Sequence, residues 1–240
     1  MLGRAAYTPL SAPRLAALDR YLSVAAGELL AHDDRVRGLD VHADFDGGVA
    51  HLSGAVESAR DLGRVRQLIG RLDGVFAMWS RVRVAGREPV HLDLGCGTTK
   101  QYPGSVGVDR RRTGAVAVLA DVSRPLPFRD ASADAIFAVH VIEHLPDYLP
   151  LIDECHRVLR PDGTLHLMGP WWGHVNAVVD PTHVHLLDVQ TVKGICARPE
   201  APRWLPLHAA CDGASVFADL TPLAPDASGP DPVELARFFD

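Results

Sequence analysis

Val90-His91-Leu92-Asp93-Leu94-Gly95-Cys96-Gly97, followed shortly by Ser105-Val106-Gly107-Val108-Asp109, decides the fold of this 240-residue chain. The first run reads as a short strand closing on an acid, then a tight glycine turn. The second reads as another short strand, capped by Asp109. Together they describe the edge of an open parallel sheet, where ligands gather at the carboxyl ends of the strands. Gly95 and Gly97 are expected to let the backbone approach a nucleotide-like ligand, because a Cβ at either place would occupy its volume. Asp109 stands where a ribose diol would find an acceptor. A glycine pair alone is weak evidence. Flanked by a strand and by an acid on each side, it favours ligand binding over a plain turn.

Beyond this stretch, the motifs continue in order. Asp93-Leu94-Gly95-Cys96-Gly97 resembles the first motif of the class I S-adenosylmethionine-dependent methyltransferases. Ala120-Asp121-Val122, with Leu126-Pro127-Phe128 after it, is similar to that family's adenine-contacting segment. Ser132-Ala133-Asp134-Ala135-Ile136-Phe137, leading to Val141-Ile142-Glu143-His144-Leu145, resembles its fourth strand and the turn that follows. The run from Glu154 to Leu165, through Pro161-Asp162-Gly163, resembles the next helix, turn and fifth strand. The resemblance covers about residues 89–172. It implies a Rossmann-like, mostly parallel, doubly wound α/β sheet and S-adenosylmethionine as cofactor. It also implies cofactor contacts at Asp93, Gly95, Cys96, Gly97, Asp109, Arg110, Asp121, Val122 and His140.

One departure is plain. Only 11 residues, 94–104, join the two strands, and they include Pro103 and Gly104. A parallel crossover usually takes a dozen or more residues and a helix. The first crossover is therefore expected to hold a turn or two of helix at most, or to be irregular. Thr99, followed by Lys100, replaces a third glycine often found in such loops.

Composition agrees with an ordinary globular protein: 47% apolar and 22% charged residues, enough for a real core. Cys96, Cys155, Cys196 and Cys211 form no CxxC pair, which argues against a zinc ribbon or disulfide framework and fits a reducing compartment. The N-terminus has no apolar leader and no run approaches a membrane span, so the expected location is cytoplasmic, with no transmembrane segment. Residues 1–88 carry 12 Lys/Arg against 11 Asp/Glu, net +1, and residues 89–240 carry 12 against 19, net −7. An acidic sheet domain lacks the footprint for a phosphate backbone, so no nucleic-acid partner is expected and a small-molecule acceptor is preferred.

Ahead of the sheet domain, residues 1–13 read as an irregular lead-in. Leu15, Leu18, Leu22, Ala25, Ala26, Leu29 and Leu30 recur at helical spacing. Leu39, Val41, Ala43 and Phe45 alternate into Asp46-Gly47-Gly48, a hairpin signal, and Val49 starts the return strand. Glu57 to Leu72 reads as a second amphipathic helix and Val75 to Val84 as a third strand. This α-β-β-α-β order over about 14–85, with Gly48-Val49 and Leu52-Ser53-Gly54-Ala55-Val56, resembles a BON domain. That resemblance implies a protein or lipid partner; without a signal peptide the family's envelope role does not transfer. Ala85 to Pro89 reads as a linker, residues 89–223 as the methyltransferase-like domain, and 224–240 as a C-terminal tail ending in a short helix from Asp231-Pro232.

Strands are expected near 90–93, 105–109, 115–120, 135–139 and 164–168, a helix near 147–159, another after Asp188, and a hairpin over 204–223. Methyl transfer from a sulfonium mainly requires an in-line nucleophile and exclusion of water, so a missing triad does not count against catalysis. Glu143 and His144 serve equally well as turn-ordering or catalytic groups. Trp171 and Trp172 suggest an apolar lid, and His144, His174 and His183 are the candidate catalytic groups of an acceptor site. His174, His183 and His185 fall within 12 residues and raise a zinc or iron alternative. Asp180 is the one acid at ligand-like spacing, and the preferred reading holds no metal. A non-catalytic cofactor-binding or adaptor protein is the other alternative.

Overall fold

The computed structural model describes residues 9–199, 202–224 and 226–239, with the Arg237 side chain left aside. Residues 1–8 of the expected lead-in lie outside this range. The chain divides into two compact units, Leu10–Pro89 and a second containing everything from Val90 onward. Among the described residues no helix is long and apolar enough to cross a membrane.

In the first unit, α1 (Ala12–His32) begins with a proline in its first turn, where the missing N–H costs nothing. Leu22 and Ala26, one turn apart, are fully buried against the sheet core. β1 (Asp40–Asp46) and β2 (Val49–Val56) pair antiparallel around Gly47 and Gly48, both left-handed (φ 58° and 80°) as a two-residue hairpin turn requires. Their N–H groups reach the Asp19 carboxylate of α1 at 3.0 and 2.8 Å, fixing helix to hairpin. α2 (Ala59–Ile69) is capped by Ser58, whose Oγ accepts the Asp61 N–H, and buries Leu62, Val65, Leu68 and Ile69.

The third strand departs from expectation. It is broken into β3 (Ala77–Ser80) and β4 (Arg83–Val84), both parallel to β2. The break falls where the Ser80 Oγ accepts the Val82 N–H at 3.3 Å, drawing that donor away from the ladder.

The second unit is a seven-stranded sheet. Its strands are β5 (His91–Leu94), β6 (Val106–Asp109), β7 (Val116–Leu119), β8 (Ala133–Val139), β9 (Leu159–Pro170), β10 (Trp204–Cys211) and β11 (Ser215–Pro222). The order is β10-β11-β9-β8-β5-β6-β7, parallel from β9 to β7 and antiparallel at β10 and β11. The five parallel strands follow the Rossmann 3-2-1-4-5 order, which puts the topological switch point between β5 and β8. Helices α3 (Leu149–Val158), α4 (Asn176–Val179), α5 (Val189–Cys196) and α6 (Pro232–Phe239) all follow β8 in the chain. The three earlier crossovers, 95–105, 110–115 and 120–132, carry no helix. The expected short first crossover is therefore an irregular loop, and its two neighbours share that character.

β9 starts five residues earlier than expected, because the chain leaves α3 directly into strand and bulges at Asp162 (φ 68°) before the main ladder begins at Thr164. α5 starts where Asp188 predicts: its carboxylate accepts the Gln190 N–H while the Thr191 side chain bonds back to the cap. The core gathers Leu92, Leu94 and Val108 of the first strands with Ile136, Ile152, Leu165, Trp204 and Leu220.

Candidate active site at the carboxyl edge of the sheet

At the switch point, the glycine loop is held by the acids at the two strand ends. Asp93, 2% exposed, accepts the Gln101 N–H at 2.5 Å. Burial pushes its carboxyl pKa up, while the Gln101 and Tyr102 amides and the Lys100 charge pull the other way. Asp109, also buried, accepts the Gly97 N–H at 2.9 Å on one oxygen and the Arg111 N–H at 2.8 Å on the other. Each acid uses the loop's own amides in the role a helix N-terminus would otherwise fill. The carboxylate of Asp109 keeps further lone pairs for a ligand.

Both glycines have left-handed backbones, φ 65° at Gly95 and 57° at Gly97. Gly95 has a further reason within the protein: a Cβ there would meet the Val141 Cγ2 at 2.8 Å, in the turn after β8. At Gly97 a Cβ would meet nothing within 4 Å. Cys96 lines the same loop, and burial, with Asp93 and Asp109 nearby, raises its thiol pKa. A raised thiol pKa favours the neutral thiol over the nucleophilic thiolate.

Next along the edge, the Ala120 N–H bonds the Asp109 carbonyl at 3.0 Å, which carries Asp121 and Val122 to the same rim. One oxygen of Asp121 accepts both the Ser123 N–H (3.0 Å) and Oγ–H (2.7 Å), holding its pKa below the usual carboxylate range. The exposed Arg110 contributes to that lowering from nearby. The segment after Asp121 is clamped from α3 by residues that sequence reasoning did not single out. Arg157 donates to the Leu126 and Phe128 carbonyls at 3.1 and 2.9 Å and pairs with Glu154 and Asp130. Glu154 in turn accepts the Leu126 N–H at 2.7 Å. An arginine and glutamate three apart on a helix look like any surface pair in sequence, so no signal marks this clamp.

Beyond the switch point, β8 ends at His140, whose backbone is left-handed (φ 54°) and whose half-exposed ring places Nδ1 3.0 Å from the Glu143 Oε1. Glu143 belongs to a single 3-10 turn, Ile142–His144, and is fully buried. Among the described residues its Oε2 has no hydrogen-bond partner. The exposed ring of His144 lies 4.7 Å from that of His183, centroid to centroid, and its Nδ1 is 3.0 Å from the Thr182 Oγ1.

The structure brings together some of the candidate histidines and not others. His144 and His183 meet. His174 stays at the turn into α4, where its Nδ1 accepts the Asn176 N–H at 3.3 Å. His185 turns to the Leu145 carbonyl, 2.9 Å away, and to the Tyr148 ring. The convergence of His174, His183 and His185 considered from spacing is thus not found. Each lies on a different part of the loop and is tied to a different neighbour. Trp171 and Trp172 both donate their indole N–H to the Asp188 carboxylate at 3.1 Å, which ties this pair to the cap of α5.

Parts of the chain are similar to known proteins. Residues 99–167 match the family model described as a methyltransferase domain. The chain is 47% identical over 45 residues to the "Probable S-adenosylmethionine-dependent methyltransferase" of Mycolicibacterium smegmatis, a match covering 19% of this chain and only 18% of that protein. Among solved structures it is similar to a SAM-dependent methyltransferase from Archaeoglobus fulgidus, with 21% identity, 45% of this chain and 58% of that one covered, and a TM-score of 0.37. It is also similar to an S-adenosylmethionine-dependent methyltransferase from Mesorhizobium loti, with 13% identity, 55% and 90% covered, and a TM-score of 0.42. The segment 99–167 is thus similar to a methyltransferase domain, and it lies within a unit whose five parallel strands follow the order of open nucleotide-binding α/β sheets.

Proposed function

We propose that this protein transfers a methyl group from S-adenosylmethionine to a small-molecule acceptor. The observation that carries this reading is the loop between β5 and β6, with two left-handed glycines and two buried strand-end acids at the switch point. In it Asp109 accepts from the ribose diol and Asp121 from the adenine amino group. Asp93, Gly95, Cys96 and Gly97 shape the loop around the rest of the cofactor, and Arg110, Val122 and His140 line its rim. For the acceptor, His144, His174 and His183 are the candidate hydrogen-bonding or basic groups. A base is needed there only for a poorly ionised hydroxyl or a protonated amine.

The acidic balance of residues 89–240 supports a small acceptor over a nucleic acid. The first unit, with its α-β-β-α-β order, fits a BON-like module that binds a protein or lipid partner, with the domain boundary at residues 85–89. Four free cysteines, three of them buried, support a reducing, cytoplasmic setting.

Incubating the protein with methyl-labelled S-adenosylmethionine and a metabolite extract tests the activity. Labelled small-molecule product together with S-adenosylhomocysteine is expected. The helix-free first crossover favours one second reading, a cofactor-binding protein without turnover. Tight cofactor binding with no labelled product in any extract would select it.

A further inference from the structure

Glu143, His144 and His183 each offer one ligating atom within 4.8 Å of the other two. We propose that these three side chains form a binding site for one divalent transition-metal ion of the zinc or iron(II) class, beyond the carboxyl end of β8. Two imidazoles and one carboxylate are the donor set such ions take, whereas calcium and magnesium prefer oxygen alone.

The hydrogen bonds around the three residues leave one ring nitrogen of each histidine and one carboxylate oxygen available. The Thr182 hydroxyl gives its proton to the Asp180 Oδ1 at 2.7 Å, so toward the His144 Nδ1, 3.0 Å away, it acts as acceptor. His144 therefore carries its hydrogen on Nδ1 and keeps the Nε2 lone pair. The His183 Nδ1 lies 3.1 Å from the Ala177 carbonyl, which only accepts, so His183 is fixed in the same tautomer with Nε2 available. Metal-bound histidines characteristically donate their second ring N–H in this way, which orients the ring and fixes the tautomer.

Glu143 supplies the third donor. Its Oε1 is engaged by His140 at 3.0 Å, while Oε2, fully buried, has no hydrogen-bond partner among the described residues. A buried carboxylate oxygen without a partner is costly, and a cation is one way of satisfying it. Asp180, whose Oδ2 lies 4.0 Å from the His183 Nε2, adds negative charge at the same place. Two metal–ligand bonds of about 2.0–2.2 Å span less than 4.8 Å, so any pair standing at that limit has a gap to close. The exposed His144 has the freedom to close that gap. Three protein ligands leave a coordination position open to an oxygen of a bound small molecule.

The site goes beyond methyl transfer and is tested by metal affinity alone, without cofactor. Protein made without a histidine tag is stripped with a chelator and titrated with zinc in a calorimeter, then with cobalt(II) to read coordination from its visible absorption. One zinc per chain is expected. His144→Ala and His183→Ala should each lower affinity tenfold or more, and Glu143→Gln likewise. Thr182→Val, which removes only the support behind His144, should cost about tenfold. His174→Ala, outside the cluster, should leave zinc affinity unaltered. S-adenosylmethionine affinity of each variant, measured in parallel, checks that the fold is retained. If Glu143→Gln does not fold, the variants at exposed His144 and Thr182 decide. Absence of stoichiometric zinc, or zinc affinity unaltered in both histidine variants, overturns the site and leaves the methyl-transfer reading standing.

Discussion

The loop between β5 and β6 and the cluster between β8 and α5 sit at the same sheet edge but are assembled in opposite ways. In the first, buried acids grip amides 8 and 12 residues away in the chain, Asp93 to Gln101 and Asp109 to Gly97. In the second, side chains meet across the chain, as His144 does with Thr182, 38 residues on. A local grip leaves its mark on residue type: glycine where φ is positive, an acid where a strand ends. A distant meeting leaves none. In the reading proposed above, the first region supplies cofactor recognition from its backbone, and the second would select what it binds through side chains.

The strongest way to break this contrast is Gly95→Ala. It forces an L-residue to φ 65° and pushes a methyl to 2.8 Å from the Val141 Cγ2. The left-handed backbone and the overpacking together predict a loss of about 2–4 kcal/mol in stability, with cofactor binding falling at least as far. Thermal unfolding and calorimetry read both. Unaltered binding would mean that the loop does not hold the cofactor.

Asp109→Ala comes next. It removes the acceptor for two loop amides as well as the proposed ribose contact, for an expected loss of roughly 1.5–3 kcal/mol in S-adenosylmethionine affinity. An affinity within experimental error of the native protein would remove Asp109 from the site.

A smaller effect is expected from the clamp behind Asp121. The Arg157 guanidinium, and then the Leu126 amide, hold the Glu154 carboxyl below its ordinary pKa. A folded pKa below the unfolded one means a stabilisation complete above about pH 4.3 and lost as the pH falls through the folded value. Glu154→Gln should lack that acid-side loss in a series of unfolding midpoints against pH. Parallel curves for the two proteins would show that the clamp contributes nothing. The smallest effect belongs to Gly97→Ala, where open space leaves only the backbone term, about 1–2 kcal/mol. If it proves as damaging as Gly95→Ala, the two glycines serve one purpose and the Val141 contact is not the reason for Gly95.

Much of the fold was legible because it rests on such local demands. The glycine turn, the strand-end acids, the Asp188 cap and the 204–223 hairpin each carry their structural reason in the residues themselves. The break at Ser80 was not legible, since a serine hydroxyl diverting a neighbouring amide looks like any strand serine. Nor was the early start of β9, which depends on a bulge at Asp162. At the acceptor side, three histidines close in sequence suggested one cluster, but chain proximity is a poor guide within an irregular loop. Folding replaced His174 and His185 with Glu143 and His144, which arrive from another crossover. Glu143 and His144 read in sequence equally as turn-ordering or catalytic groups, and their meeting with His183 was not legible because that residue lies on a separate segment.

Calorimetric titration of the full chain with S-adenosylmethionine tests the central claim most directly. One site per chain is expected, retained in His144→Ala and lost or strongly weakened in Gly95→Ala. No binding by the native protein, or binding indifferent to Gly95→Ala, would contradict it.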